Sequence, residues 1–158
     1  MKRTLVLVPV ILFLLILSCE RSTPPETILR TDLFSWIKQN NVTYTLVIPT
    51  NIFSLQDTIR GTFEVYNESI ETREFSFNYQ QQYGFRLKSD GTTALYYPVI
   101  GNPAPSKFSL TPGDRKIFDI QSTFRNSDGQ LISVGEYLLE VFLLDGQSPY
   151  VGLQIKVE

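Results

Sequence analysis

The chain has 158 residues, 42% of them apolar, with 14 basic against 16 acidic side chains and a pI near 5.2. That length fits one domain, and the acidic balance argues against a basic footprint for nucleic acid. With no histidine and one cysteine, the chain can hold no Ser-His-Asp or Cys-His catalytic set, no imidazole metal ligand and no internal disulfide.

At the N-terminus, Lys2 and Arg3 precede an apolar run from Leu5 to Leu17, broken only by Pro9. A run of about 13 positions is shorter than the roughly 20 that a bilayer core requires, and it reads as an export signal. It ends on Ile16-Leu17-Ser18-Cys19. A small residue before a cysteine, after an apolar pair, resembles the lipobox of bacterial lipoproteins. The resemblance implies cleavage before Cys19, a diacylglyceryl thioether and an acylated amine on that residue, and a mature chain anchored to a membrane rather than spanning it. Residues 1–18 are then the signal peptide, 19–40 a lipidated tether and 41–158 the folded domain. The expected location is the cell envelope, facing the periplasm or the cell exterior.

Pro24-Pro25 extends the chain and denies it helix hydrogen bonds. Beyond it, Leu29, Leu33, Trp36 and Ile37 fall at helical spacing. This predicts one short helix over roughly residues 27–38, with Trp36 packed on the domain. From Asn41 the period becomes two. Val42, Tyr44, Leu46 and Ile48 alternate with Thr43, Thr45 and Val47, and the same alternation marks strands around Phe63, Phe75, Phe85 and Leu153. Lys116 to Ile120 is a weaker strand. Leu138 to Leu144 is apolar on both faces apart from Glu140, as suits a central strand. Asn67-Glu68-Ser69, Asp90-Gly91, Pro112-Gly113-Asp114, Asp128-Gly129 and Asp145-Gly146 supply the breaks. Short strands with turns every ten or so residues predict an all-β, antiparallel, immunoglobulin-like β-sandwich with an aromatic-rich core. Ser54-Leu55-Gln56-Asp57-Thr58-Ile59 echoes Ser109-Leu110-Thr111-Pro112-Gly113-Asp114 and reads as one turn used twice. Asn41-Val42-Thr43 and Asn67-Glu68-Ser69 match the glycosylation pattern, to which a bacterial lipoprotein gives no role.

The order of features from Asn67 to Leu144 is distinctive. An Asn-Glu-Ser turn leads into Phe75-Ser76-Phe77, then Gln81, Tyr83 and Phe85, the Asp90-Gly91 turn and Tyr96-Tyr97. Phe108-Ser109-Leu110-Thr111-Pro112-Gly113-Asp114 and Gly135-Glu136-Tyr137 follow. Over about half of the chain this resembles the BsuPI-like intracellular proteinase inhibitor domain. The resemblance implies an immunoglobulin-like sandwich and a serine protease as partner. Two features depart from that family: tryptophan often stands there at the positions of Tyr96 and Tyr97, and the namesake works in the cytoplasm whereas this chain carries an export signal. Tyr137, just after a glycine, is placed to return its hydroxyl to nearby backbone, like the tyrosine corner of such sandwiches.

Residues 97–106 form the most unusual segment. Pro98, Pro103 and Pro105 stiffen it, so it loses less entropy on docking, and Val99 and Ile100 could enter an apolar pocket on a partner. Tyr150, in the loop after Asp145-Gly146, is a second candidate, being a common interface type. Asp114, Asp119, Asp128 and Asp145 are isolated and form no calcium-loop pattern. Nothing calls for a metal, a cofactor or catalytic residues. The chain reads as a non-enzymatic, membrane-anchored protein-binding module, a proteinase inhibitor by resemblance. The alternatives are an envelope assembly module, or a carrier of small ligands or carbohydrate that uses Tyr79, Tyr83, Tyr96 and Tyr97 as exposed tyrosines.

Overall fold

The computed structural model describes residues 32–98 and 103–158. The expected signal run, Cys19 and the Pro24-Pro25 segment lie outside the described residues, as do Val99 and Ile100. The rest is built from strands: β1 (Leu33–Gln39), β2 (Val42–Ile48), β3 (Ile52–Phe53), β4 (Thr58–Asn67), β5 (Arg73–Phe77), β6 (Tyr83–Ser89), β7 (Thr92–Tyr97), β8 (Ser106–Leu110), β9 (Arg115–Thr123), β10 (Gly135–Leu143) and β11 (Val151–Val157). They form a four-stranded sheet β1-β2-β4-β9, a five-stranded sheet β3-β11-β10-β6-β7 and the ribbon β5-β8. All pairs are antiparallel except the short β3–β11 contact. The fold is an all-β antiparallel sandwich.

Aromatic residues join the layers. Tyr44 and Phe63 stack at 6.4 Å, and Phe63 and Phe118 at 6.1 Å, within the four-stranded sheet. Phe118 then meets Tyr83 of the other sheet at 5.1 Å and Phe108 of the ribbon at 6.1 Å. Phe63, Phe85 and Phe124 are fully buried, each contributing about 1.5–3 kcal/mol relative to exposure. Strand β10 is central in its sheet, as its near-continuous apolar run requires.

The helix predicted over residues 27–38 is corrected where it can be seen: Leu33–Gln39 is strand β1, so the sandwich begins ahead of residue 41. Asn40 and Asn41 both take positive φ (52° and 58°), the geometry of a two-residue hairpin turn. That turn folds β1 back onto β2 in register from Leu33↔Ile48 to Gln39↔Val42. Trp36 is corrected too. It points away from the core and is 61% exposed.

The turn motifs converge on Asn67, which is fully buried. Its side-chain amide donates to the carbonyls of Glu71 (2.8 Å) and Leu110 (2.9 Å), and its Oδ1 accepts from the Ser69 amide (3.0 Å) and hydroxyl (2.7 Å). Its backbone pairs with Asp114 and Gly113. The Asn-Glu-Ser and Leu-Thr-Pro-Gly-Asp segments are thus halves of one knot. The echo between residues 54–57 and 111–114 is a shared turn, in which Asp57 and Asp114 accept from the amides of Ser54 (2.7 Å) and Thr111 (3.0 Å). Tyr137 forms the expected corner, its hydroxyl donating to the Ser133 carbonyl at 2.7 Å.

Candidate functional site

Register across the five-stranded sheet places Tyr96, Arg86, Glu140 and Gly152 in one row, all on the outer face. In the adjacent row Gly84 faces Phe142. An outer sheet face is ordinarily polar and wetted; this one carries an aromatic cluster. Phe142 is buried beneath Tyr96 (ring centroids 6.2 Å apart) and Tyr150 (4.8 Å, edge to face). Tyr96 is 44% exposed and Tyr150 51%. The Arg86 guanidinium lies over Tyr150 at 4.5 Å and over Phe142 at 5.6 Å, within cation–π range.

Glu140, the one charge in the run from Leu138 to Leu144, finds its counter-charge here. Its Oε2 accepts from Arg86 Nε at 2.6 Å and lies 3.8 Å from Lys88 Nζ. Two cations share one carboxylate, so the spot is net positive. Among the described residues Arg86 bonds through Nε alone, which leaves the terminal N–H groups of its planar fork for a ligand. Partial burial works against the Arg86 charge, but Glu140 and the two tyrosines outweigh it and hold its pKa above the ordinary value.

Tyr150 is positioned by its own loop. The Asp145 carboxylate accepts from the amides of Gln147 (3.0 Å) and Ser148 (2.9 Å) and from the Ser148 hydroxyl (2.7 Å). Tyr44 reaches the same Ser148 hydroxyl at 3.3 Å; its own phenol is shifted upward, mainly by burial, with the Ser148 contact opposing. On the other side, Gly84 lets β7 approach: a Cβ there would stand 2.7 Å from the Tyr97 carbonyl and 3.2 Å from Phe142.

Tyr97, Phe85, Val141 and Val151 lie in one row, so the segments after Tyr97 and before Val151 leave the sheet at the same end. Pro98, half-buried after a cis peptide bond, lines a hollow of about 290 Å³ with Tyr96, Asn126 and Ser127. Pro103 and Pro105 are exposed at the entry to β8, where Ser106 Oγ donates to the Tyr79 carbonyl at 2.6 Å. The structure therefore brings Pro98 and Tyr150 to one end of the sheet and leaves Pro103 and Pro105 exposed ahead of β8. Of the four tyrosines of the carrier reading, Tyr83 and Tyr97 lie against each other with ring centroids 6.1 Å apart. Tyr83 and Tyr97 are partly buried, with hydroxyls bonded to the Asp119 carbonyl (2.7 Å) and to Gln81 (3.0 Å); Tyr79 and Tyr96 are exposed.

Sequence reasoning missed Arg86, Glu140 and Phe142. The available signal was Glu140 itself, because a lone charge inside the apolar run from Leu138 to Leu144 demands a cation on a neighbouring strand. Among the described residues no three of His, Cys, Asp or Glu gather as metal ligands.

No family model matches the chain, and no curated protein matches it in sequence. Among solved structures, it is similar to a β-glucosidase from Erythrobacter marinus (TM-score 0.47, 17% identity, 80% of this chain and 16% of that one). It is also similar to the sporulation control protein Spo0M from Bacillus subtilis (TM-score 0.46, 14% identity, 76% and 50%). A third is the alkylpurine DNA glycosylase AlkC from Pseudomonas fluorescens (TM-score 0.43, 12% identity, 68% and 27%). The chain spans half or less of the length of each of these three proteins.

Proposed function

We propose that this chain is a bacterial lipoprotein, acylated at Cys19, whose sandwich is a non-enzymatic protein-binding module at the cell envelope. The contact face is the Tyr96–Phe142–Tyr150 cluster with Arg86, and Pro98 extends it. One observation carries the reading: two half-exposed tyrosines stand on a buried phenylalanine, with an arginine guanidinium stacked over Tyr150 and Phe142. Tyr and Arg dominate interface hot spots because they offer large rigid area and several hydrogen bonds at little entropic cost. The loop is already ordered by Asp145, which lowers the cost of docking. The partner class implied by the resemblance to the inhibitor domain is a serine protease, inhibited by occlusion of its cleft.

Crosslinking from position 150 in intact cells, followed by identification of the joined protein, tests the face. Hot-spot truncation costs about 2 kcal/mol or more, so Tyr150→Ser should weaken that complex by about 30-fold. Unchanged affinity in the Tyr96→Ser/Tyr150→Ser double variant would refute the assignment. An inhibitor should slow a periplasmic or extracellular serine protease at stoichiometric dose and survive uncleaved. A protease left fully active would remove that activity and leave envelope assembly. Fatty-acid labelling lost in Cys19→Ser checks the anchor.

A further inference from the structure

The outward side chains of β1 form a second apolar surface, on the opposite outer face of the sandwich from Tyr96 and Tyr150. Register sets Phe34 beside Val47 and Trp36 beside Thr45, with Thr62 and Glu64 next along on β4. Phe34 is 65% and Trp36 61% exposed. The flanking charges are neutralised in place: Glu64 by Arg115 at 3.4 Å, and Lys38 by Glu68 at 2.5 Å. This leaves an uncharged aromatic corner on an edge strand. Single exposed apolar side chains are ordinary, but adjacent ones on a sheet edge invite a cover.

The chain leading into β1 identifies that cover. Leu33 follows Cys19 by fourteen positions, so even fully extended that segment holds the strand within about 50 Å of the cysteine. With Cys19 acylated, β1 faces the bilayer at an effective concentration on the order of millimolar, at which a weak contact suffices. Phe34 is the second residue of the strand, next to the point where the tether enters. Trp and Phe are the side chains that settle at the boundary between headgroups and acyl chains. We infer that the Phe34–Trp36 corner rests on the bilayer interface and so turns the Tyr96–Tyr150 face away from the membrane, toward partners. This orientation rests on the anchoring proposed above.

Trp36 is the only tryptophan, so emission excited selectively at tryptophan reads this corner alone. The lipidated full chain would be reconstituted into phosphatidylcholine vesicles with plain or brominated acyl chains. The expected result is flotation with the vesicles, emission shifted to shorter wavelength, and loss of emission with brominated lipid. Phe34→Ser should preserve flotation and reduce the loss. Flotation with unshifted, unquenched emission overturns the orientation and leaves the anchor standing; failure to float overturns both. A shift that ignores bromine and grows with protein density assigns the corner to a second copy and also overturns it.

Discussion

Replacing Asn67 with aspartate exchanges one NH2 group for an oxygen and little else. That group donates at 2.8 and 2.9 Å to two main-chain carbonyls in a fully buried site. The accepting atom, which serves Ser69, is unchanged. When the new carboxyl is protonated it can satisfy one carbonyl, and the other loses its partner at a cost of about 1–3 kcal/mol. When ionised, it confronts two carbonyl oxygens without a counter-charge, so the fold binds the proton more tightly than the unfolded chain does. Its folded pKa is raised, which leaves stability intact below the unfolded value near 4 and removes it as pH rises through the folded value. A shift of two to three units adds roughly 3–4 kcal/mol at pH 7. The expected loss is therefore about 1–3 kcal/mol near pH 4 and roughly 4–7 kcal/mol at pH 7, a large part of a typical domain's stability. Urea unfolding followed by far-UV circular dichroism at the two pH values measures it; Trp36 is too exposed to report unfolding by fluorescence. A loss below about 1 kcal/mol at pH 7, or equal at both pH values, would refute the view that the knot depends on this donor.

Three further outcomes follow from the same geometry. Tyr137→Phe removes the bond to the Ser133 carbonyl and should cost about 1 kcal/mol with an unchanged urea dependence. Burial raises the pKa of Tyr44, Tyr83 and Tyr137, with Tyr97 and Asp119 adding to Tyr83. Their neutral forms support the fold below the ordinary phenol pKa of 10.0, and this support is lost as pH rises through the raised values; the unfolding midpoint should fall above pH 10 together with phenolate absorbance. Gly84→Ala drives a Cβ against the Tyr97 carbonyl, which cannot yield as a flexible side chain would. It should cost about 1–3 kcal/mol and weaken the proposed complex by displacing Tyr96 and Phe142.

Period-two alternation marked most of the sheet, because each strand buries one face: Val42, Tyr44, Leu46 and Ile48 all point inward. Asp90-Gly91 and the Tyr137 corner were legible because their chemistry is local. Strand β1 was not, because Leu33, Trp36 and Ile37 fit a helical period while Phe34 and Trp36 fit a strand, and the deciding signal lay outside the run, in Asn40-Asn41. Nor could spacing show that Trp36 faces outward, since periodicity finds a face and not what covers it. Tyr150 and Pro98 stood out as residue types. Their relation to Arg86, Glu140 and Phe142 depends on register between strands more than forty residues apart in sequence, which no local pattern encodes.

Strand β11 lies between β10 and β3. Until residues 151–157 have left the ribosome, β3 has no neighbour in its sheet and one side of β10 stays open. A nascent chain stalled before Val151 leaves this sheet in two separate pieces, β3 and β10-β6-β7.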